Sequence, residues 1–297
     1  MITGKRVLML SIGMRRRGYL FFMLGVCIYS VSDAIMKYFA PLYGVHQVIF
    51  LRTVFRFLPI ILFVLYRKIN PLKSNRLKEN IFRSILAAMG TYSFMYAYNY
   101  STMVDVFTIG LTSSVFILPL SVWILKEKFR KENAFSVLLC FLGICLAMRP
   151  GKGIFRIGIV FAVIGAMIAA FNQVIIKRLS YTESEVTIIF YHHVSLILLS
   201  LGAGFSTFRN MNFNHASFLF CGGIIGAVAQ YLIVHAIKIS SISRLASAQY
   251  VVLVSDVLFD FFLYNRSPDK YIIGGLVLIL AGTTLAFRAQ SKACNAQ

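Results

Sequence analysis

The sequence predicts an all-α membrane protein of ten transmembrane helices, arranged as two inverted five-helix repeats. Three observations predict it. Of 297 residues, 59% are hydrophobic and only 13% charged, against roughly 25% charge in an average soluble domain. The apolar residues fall in blocks of about 20, the length a helix needs to cross the hydrocarbon core. The second half also echoes the first at a nearly constant offset.

Reading the apolar blocks in order places spans at 18–39, 44–66, 82–100, 103–125, 133–149, 156–178, 185–205, 216–237, 242–264 and 271–288. The domain plan is a basic N-terminus (1–17), a first repeat (18–150), a second repeat (151–288) and a tail (289–297). The first block follows Arg15, Arg16 and Arg17 and precedes no small-residue cleavage site, so it reads as a retained signal anchor. The net charge of +20 is spread in a way that argues against nucleic acid. Arg67, Lys68, Lys73, Arg76, Lys78 and Arg83, like Lys126, Lys128, Arg130 and Lys131, sit between apolar blocks, where basic residues mark the cytoplasmic side. Both termini are therefore expected inside, in a multi-pass protein of the inner membrane. Arg149, Lys152 and Arg156 in the linker between halves argue the other way. The five cysteines are scattered and form no CxxC, which points to packing residues rather than a disulfide framework or thiolate metal site.

A shift of 140 residues lays Val31–Phe39 on Phe171–Leu179, with Asp33 on Gln173, Lys37 on Lys177 and Arg52 on His192. Near the same offset, 139–149 matches 278–288 and pairs Gly143 with Gly282. Five spans is an odd number, so a second copy enters the membrane from the opposite face. That is the inverted-topology arrangement of secondary transporters.

The run LTSSVFILPLSVWILKEKFRKENAFSVLLCFLGICLAMRPGKG (111–153) carries a Lys126–Glu127 pair at a span end, Gly143 in the following span and a closing Arg149–Pro150–Gly151. It resembles the end of the first repeat in the drug/metabolite transporter superfamily, EamA-like branch. The resemblance implies ten helices and secondary transport. The second copy departs from it: Arg266 stands opposite Glu127 and the terminal Pro-Gly is missing. Within that branch, 30–57 is similar to S-adenosylmethionine uptake carriers, which also place an Asp and a Lys late in the first span and an aromatic-flanked Arg in the second.

An ionisable group at mid-membrane costs about 2.5–3.5 kcal/mol on insertion scales, so each should face protein or water and have a partner. Asp33 lies shortly before the outer end of the first span and Arg52 shortly after the outer start of the second. Their depths match and a pair is expected, although Lys37, four residues on from Asp33, competes for the same carboxylate. Arg52 and Arg56 stack one turn apart, a fork suited to a carboxylate or phosphate; the alternative is a structural role bonded to Asp33 or to helix carbonyls. Asp256, one turn before Asp260, falls near the depth of Arg52. Asp33 and Asp256 are the proton-coupling candidates. Asn172, Gln173, His192 and His193 are the polar positions of the second copy, with Gln230, Tyr231 and His235 nearby. His192 and Gln230 join the candidate substrate-binding set, although a membrane His is more often a packing residue. Tyr92 and Tyr96, one turn apart, are candidate aromatic lining, with core packing or an interfacial belt as the alternative. Pro119 is a candidate hinge or simple kink.

These features favour a carrier of a small metabolite, with S-adenosylmethionine uptake as one reading and export of an amino acid or related metabolite as another. An intramembrane enzyme built on His192 and His193 finds no nucleophile motif, and a channel subunit is the remaining class. No catalytic residue, metal site or cofactor is expected. The expected partners are a small-molecule substrate and membrane lipid, and a homodimer is compatible with the sequence.

Overall fold

The structure is a computed structural model that describes residues 2–100, 106, 109–128, 131–148, 157–204, 208–252 and 270–295. The described elements are helical: α1 (Ile2–Tyr43), α2 (Val45–Arg67), α3 (Leu77–Tyr100), α4 (Ser113–Leu125), α5 (Lys131–Met148), α6 (Ile157–Leu179), α7 (Glu185–Gly204), α8 (Phe213–Ile239), α9 (Ile242–Leu245), which continues as a 3-10 turn through Ala246–Val251, and α10 (Lys270–Asn295). Among them α2, α6, α7 and α8 are long and apolar enough to cross a membrane. The basic segment expected to precede the first span is instead the first part of α1 itself. The start of the fourth expected span, most of the ninth and the 149–156 linker lie outside the described residues.

Alongside an apolar core, the bundle buries a polar face of α2 and turns large apolar side chains outward. On α2, Gln47, Arg52, Thr53 and Arg56 are buried, while Leu62, Leu65 and Tyr66 are exposed. Trp123, Val160 and Val277 likewise stand outward. In hydrocarbon the polar side chains must find partners inside the bundle, and the apolar ones have no reason to hide.

Packing joins the two halves rather than separating them. α1 lies on α8 and α3 lies on α6; α2 meets both α7 and α8, α3 also meets α7, and α5 pairs with α10. The leading pairs map onto one another when the halves are exchanged: α1 on α8 becomes α6 on α3, α2 on α8 becomes α7 on α3, and α2 on α7 and α5 on α10 map onto themselves.

The loops follow the same rule. At one end of α2, Gln47 exchanges two hydrogen bonds with the Arg209 backbone (2.6 and 2.8 Å) and Tyr43 meets His215 (2.7 Å), so the α1–α2 corner touches the α7–α8 connection. At the far end, Glu183 accepts from Ser74 Oγ (2.9 Å) and the Arg76 amide (2.8 Å), so the α6–α7 corner touches the α2–α3 connection. Equivalent corners of the two halves therefore sit at opposite ends of α2.

The Lys126–Glu127 pair has a structural role. Lys126 adopts a left-handed conformation that ends α4, and the Glu127 carboxylate accepts from the Ile242 and Ser243 amides (3.0 and 3.2 Å) and from Ser243 Oγ (2.5 Å). A carboxylate from the first half thus caps the free amides at the start of α9.

The α5–α10 pair depends on the absence of a side chain at Gly282. A Cβ there would lie 2.5 Å from Cys140 Sγ and 2.9 Å from the Ser136 carbonyl oxygen, which belongs to the backbone of the facing helix. Gly282→Val is therefore expected to cost about 1–3 kcal/mol by overpacking, read as a lower midpoint of thermal unfolding in detergent. Gly202→Ala, where nothing lies within 4 Å, is expected to leave the midpoint unchanged; equal losses at both positions would contradict the assigned contact.

Candidate functional site

The charged side chains of α1 and α2 converge on one cavity. Residues 49, 52, 53 and 56 of α2 repeat at helical spacing and share one face, and that face looks across at α1 and α7. Arg52 Nη2 forms an ion pair with Asp33 Oδ1. Arg56 donates to Tyr29 Oη (3.1 Å) and Ser32 Oγ (2.8 Å), and its guanidinium lies over the Tyr29 ring at 4.6 Å. Ser32 passes the interaction on, donating to the Gly222 carbonyl oxygen of α8 (2.7 Å). The space beside these groups is small, about 30 Å³, and is bounded by Tyr29, Arg52, Thr53, Arg56, Thr91 and His192.

Among the described residues the charges here do not balance. Arg52 and Arg56 are 7% and 6% exposed, and among the described residues one carboxylate pairs with them, Asp33, whose side chain is half exposed. The Nε of each arginine lacks a hydrogen-bond partner. A buried cation without a counter-charge is costly, and an anion entering the cavity would satisfy it. Gly226 of α8 makes the room for Arg56: a Cβ there would overlap the guanidinium, lying 2.6 Å from Cζ.

A second small cavity, about 30 Å³, lies along α6, α7 and α8 and is bounded by Arg83, Asn172, Ile189, His192 and Gln230. His192 borders both cavities. The residues expected to form one site are therefore divided: Arg52, Arg56 and His192 adjoin the first cavity, Asp33 is tied to it through Arg52, and Gln230 belongs to the second. Gln173, the repeat mate of Asp33, does not rebuild an ion pair; its amide donates to Gln249 Oε1 at 3.3 Å.

Tyr92 has its ring against His46 at 5.5 Å and its hydroxyl buried without a partner, one residue along α3 from Thr91, which does line the first cavity. Tyr96 is placed outside both cavities. It is exposed on the outer face of α3 against Phe161, because the step from 92 to 96 advances slightly more than one turn and carries the ring around the helix. Tyr231 stacks on His235, which meets Glu185 at 3.2 Å, away from the cavities. Asp256 and Asp260 lie outside the described residues, as does the side chain of Lys37.

The residue that sequence reading missed is Arg83. It reads as a loop charge in the block from Arg67 onward, yet it is buried in α3. The signal was available: Asn80, Arg83, Ser84, Ala87 and Ala88 are small or polar and recur at three- and four-residue intervals, and all five are buried.

Comparison with known proteins agrees with this architecture. The profile of the EamA-like transporter family matches the chain twice, over residues 16–149 and 156–288. The chain is 25% identical to an S-adenosylmethionine uptake transporter of Rickettsia conorii over 274 residues, covering 92% of this chain and 93% of that one. A protein of the same name from Rickettsia bellii is 24% identical and covers 92% and 94%. A solved crystal structure superposes with a TM-score of 0.81 at 14% identity, covering 94% of this chain and 99% of the other, and so shares the fold.

Asp33→Asn removes the carboxylate and leaves Arg52 buried beside a neutral amide. A loss of about 1–3 kcal/mol is expected, measured as a lower unfolding midpoint in detergent. Adding Arg52→Gln should recover part of the loss, since the double-mutant cycle then reports the pair alone. Strictly additive losses would show that the two side chains do not interact.

Proposed function

We infer the function from one premise: the chain belongs to the EamA-like transporter family. It is a multi-pass membrane transporter rather than an enzyme. Within that family we propose that it is a secondary carrier of the cytoplasmic membrane that takes up a metabolite bearing an anionic group, with S-adenosylmethionine as the favoured cargo.

The observation that carries this reading is the stacked pair Arg52 and Arg56 on the wall of a cavity inside the bundle, with Asp33 the one carboxylate paired with them among the described residues. A guanidinium fork suits the carboxylate of an amino-acid moiety. Asp33, half exposed, is free on its other edge to face an ammonium or sulfonium. S-adenosylmethionine has both kinds of group, and the similarity to the Rickettsia proteins supports it as cargo. In this reading Tyr29 holds the arginines in place rather than stacking on cargo, because Arg56 already covers its ring.

The same proposal assigns ten spans, both termini in the cytoplasm, and halves inverted in the membrane. It is supported by the basic segments between spans and by the placement of equivalent corners at opposite ends of α2. Inverted halves give inward-open and outward-open states of nearly equal energy, related by exchanging the roles of the repeats. Asp33 and Asp256 are the candidates for coupling transport to protons.

The test is uptake of labelled S-adenosylmethionine into proteoliposomes. Saturable uptake stimulated by cargo on the opposite side is expected, and it distinguishes a carrier from a pore. Arg52→Gln and Arg56→Gln should each lower kcat/KM for uptake by tenfold or more, corresponding to about 1.4 kcal/mol or more. Unchanged uptake in both variants would remove the arginines from the site, and no saturable uptake by the wild type would remove the cargo. An uncoupler of the proton gradient should abolish accumulation while leaving exchange intact.

A further inference from the structure

Part of the second cavity's lining is the repeat mate of the first's. Shifting Met36, Ile49 and Arg52, which line the first, by 140 residues gives Ile176, Ile189 and His192, which line the second. Ser32, which binds Arg56 in the first half, maps onto Asn172, which binds Arg83 in the second. The equivalent of Arg52 is a histidine, and the cation of the second cavity arrives from another helix as Arg83 of α3.

Arg83 is 2% exposed. Its terminal nitrogens donate to Asn172 Oδ1 (3.1 Å), Ser84 Oγ (2.8 Å) and the Ile188 carbonyl oxygen (2.8 Å). These partners are all neutral, and among the described residues no carboxylate pairs with it. Its Nε has no acceptor, and two further groups on the same cavity wall, His192 Nδ1 and Gln230 Oε1, also lack partners. A guanidinium fixed on two sides, with an unused donor and no counter-ion, is poised for an anion. The His192 ring can present a donor to an anion, and Gln230, whose unpartnered atom is the acceptor oxygen, can do so only through its amide nitrogen.

We propose that the Arg83 cavity is a second anion-binding subsite, built for a small oxyanion such as a carboxylate or phosphate and separated from the Arg52 cavity by His192. The site lies along α3, whose start leads back to the α2–α3 and α6–α7 connections, whereas the Arg52 cavity lies nearer the α1–α2 corner. An anion handed from one to the other would travel along the bundle. The geometry of Arg83 carries this site whether or not S-adenosylmethionine is the cargo.

The test separates the two subsites by removing the first. In the Arg52→Gln, Arg56→Gln double variant, purified in detergent, inorganic phosphate or acetate at constant ionic strength should still raise the unfolding midpoint saturably. Adding Arg83→Gln should abolish that shift, while Arg83→Lys should keep it with weaker affinity. Arg83→Gln alone should retain the shift due to the Arg52 cavity. A saturable shift that survives Arg83→Gln in the double-variant background, or no shift in that background at all, overturns the proposal. If Arg83→Gln fails to fold, Gln230→Leu in the same background replaces it, expected to weaken the anion dependence severalfold; an unchanged dependence counts against the site. S-adenosylmethionine added with phosphate identifies the source of the anion: competition at Arg83 marks the cargo's own carboxylate, and independent binding marks a free ion.

Discussion

Positive charge buried in an apolar bundle is the constraint on which the rest of the structure depends. Arg52, Arg56 and Arg83 are each almost wholly buried, and among the described residues Asp33 is their only paired carboxylate. Hydrocarbon solvates none of them. The bundle responds by surrounding each guanidinium with neutral acceptors: Tyr29 and Ser32 around Arg56, and Asn172, Ser84 and a helix carbonyl around Arg83. Neutral acceptors spread the charge without cancelling it, and that leaves an electrostatic deficit which an anionic solute can fill. Under the proposed function binding and transport share one cause, since the group that makes the empty state costly would also recognise the cargo.

Packing serves this arrangement. The pairing of α1 with α8 and of α3 with α6 interleaves the halves, so each cavity is walled by helices from both. Gly226 clears a place on α8 for Arg56, and the Ser32 bond to Gly222 ties the same region of α8 to α1. Movement of one half against the other would therefore change the surroundings of the arginines directly. The Glu127 cap on α9 and the α5–α10 pair lie away from the cavities and give the halves fixed points of contact.

The sequence disclosed the parts of this account that depend on length and depth. Apolar blocks of the right length gave the helices, and counting residues from the shared corner placed Asp33 opposite Arg52, where the ion pair is found. Position around a helix was harder to read. Arg83 looked like one more loop charge because α3 begins at Leu77, several residues before its apolar block, and buries the polar face of its first turns. Tyr96 looked like the partner of Tyr92, but its angle around α3 carries it outward. His192 and Gln230 looked like members of a single site because depth alone does not reveal that the cavity is divided. In each case tertiary packing decided which face of the helix turned inward, information that a one-dimensional pattern in a uniformly apolar helix carries only weakly.

The central claim, that cargo supplies negative charge to Arg52 and Arg56, is tested most directly by a structure of the protein in lipid nanodiscs with S-adenosylmethionine bound. The account predicts the carboxylate of the ligand within hydrogen-bond distance of Arg52 or Arg56, with the Asp33 side facing its cationic end. A ligand bound elsewhere, with all three guanidinium groups bonded to protein alone, would contradict it.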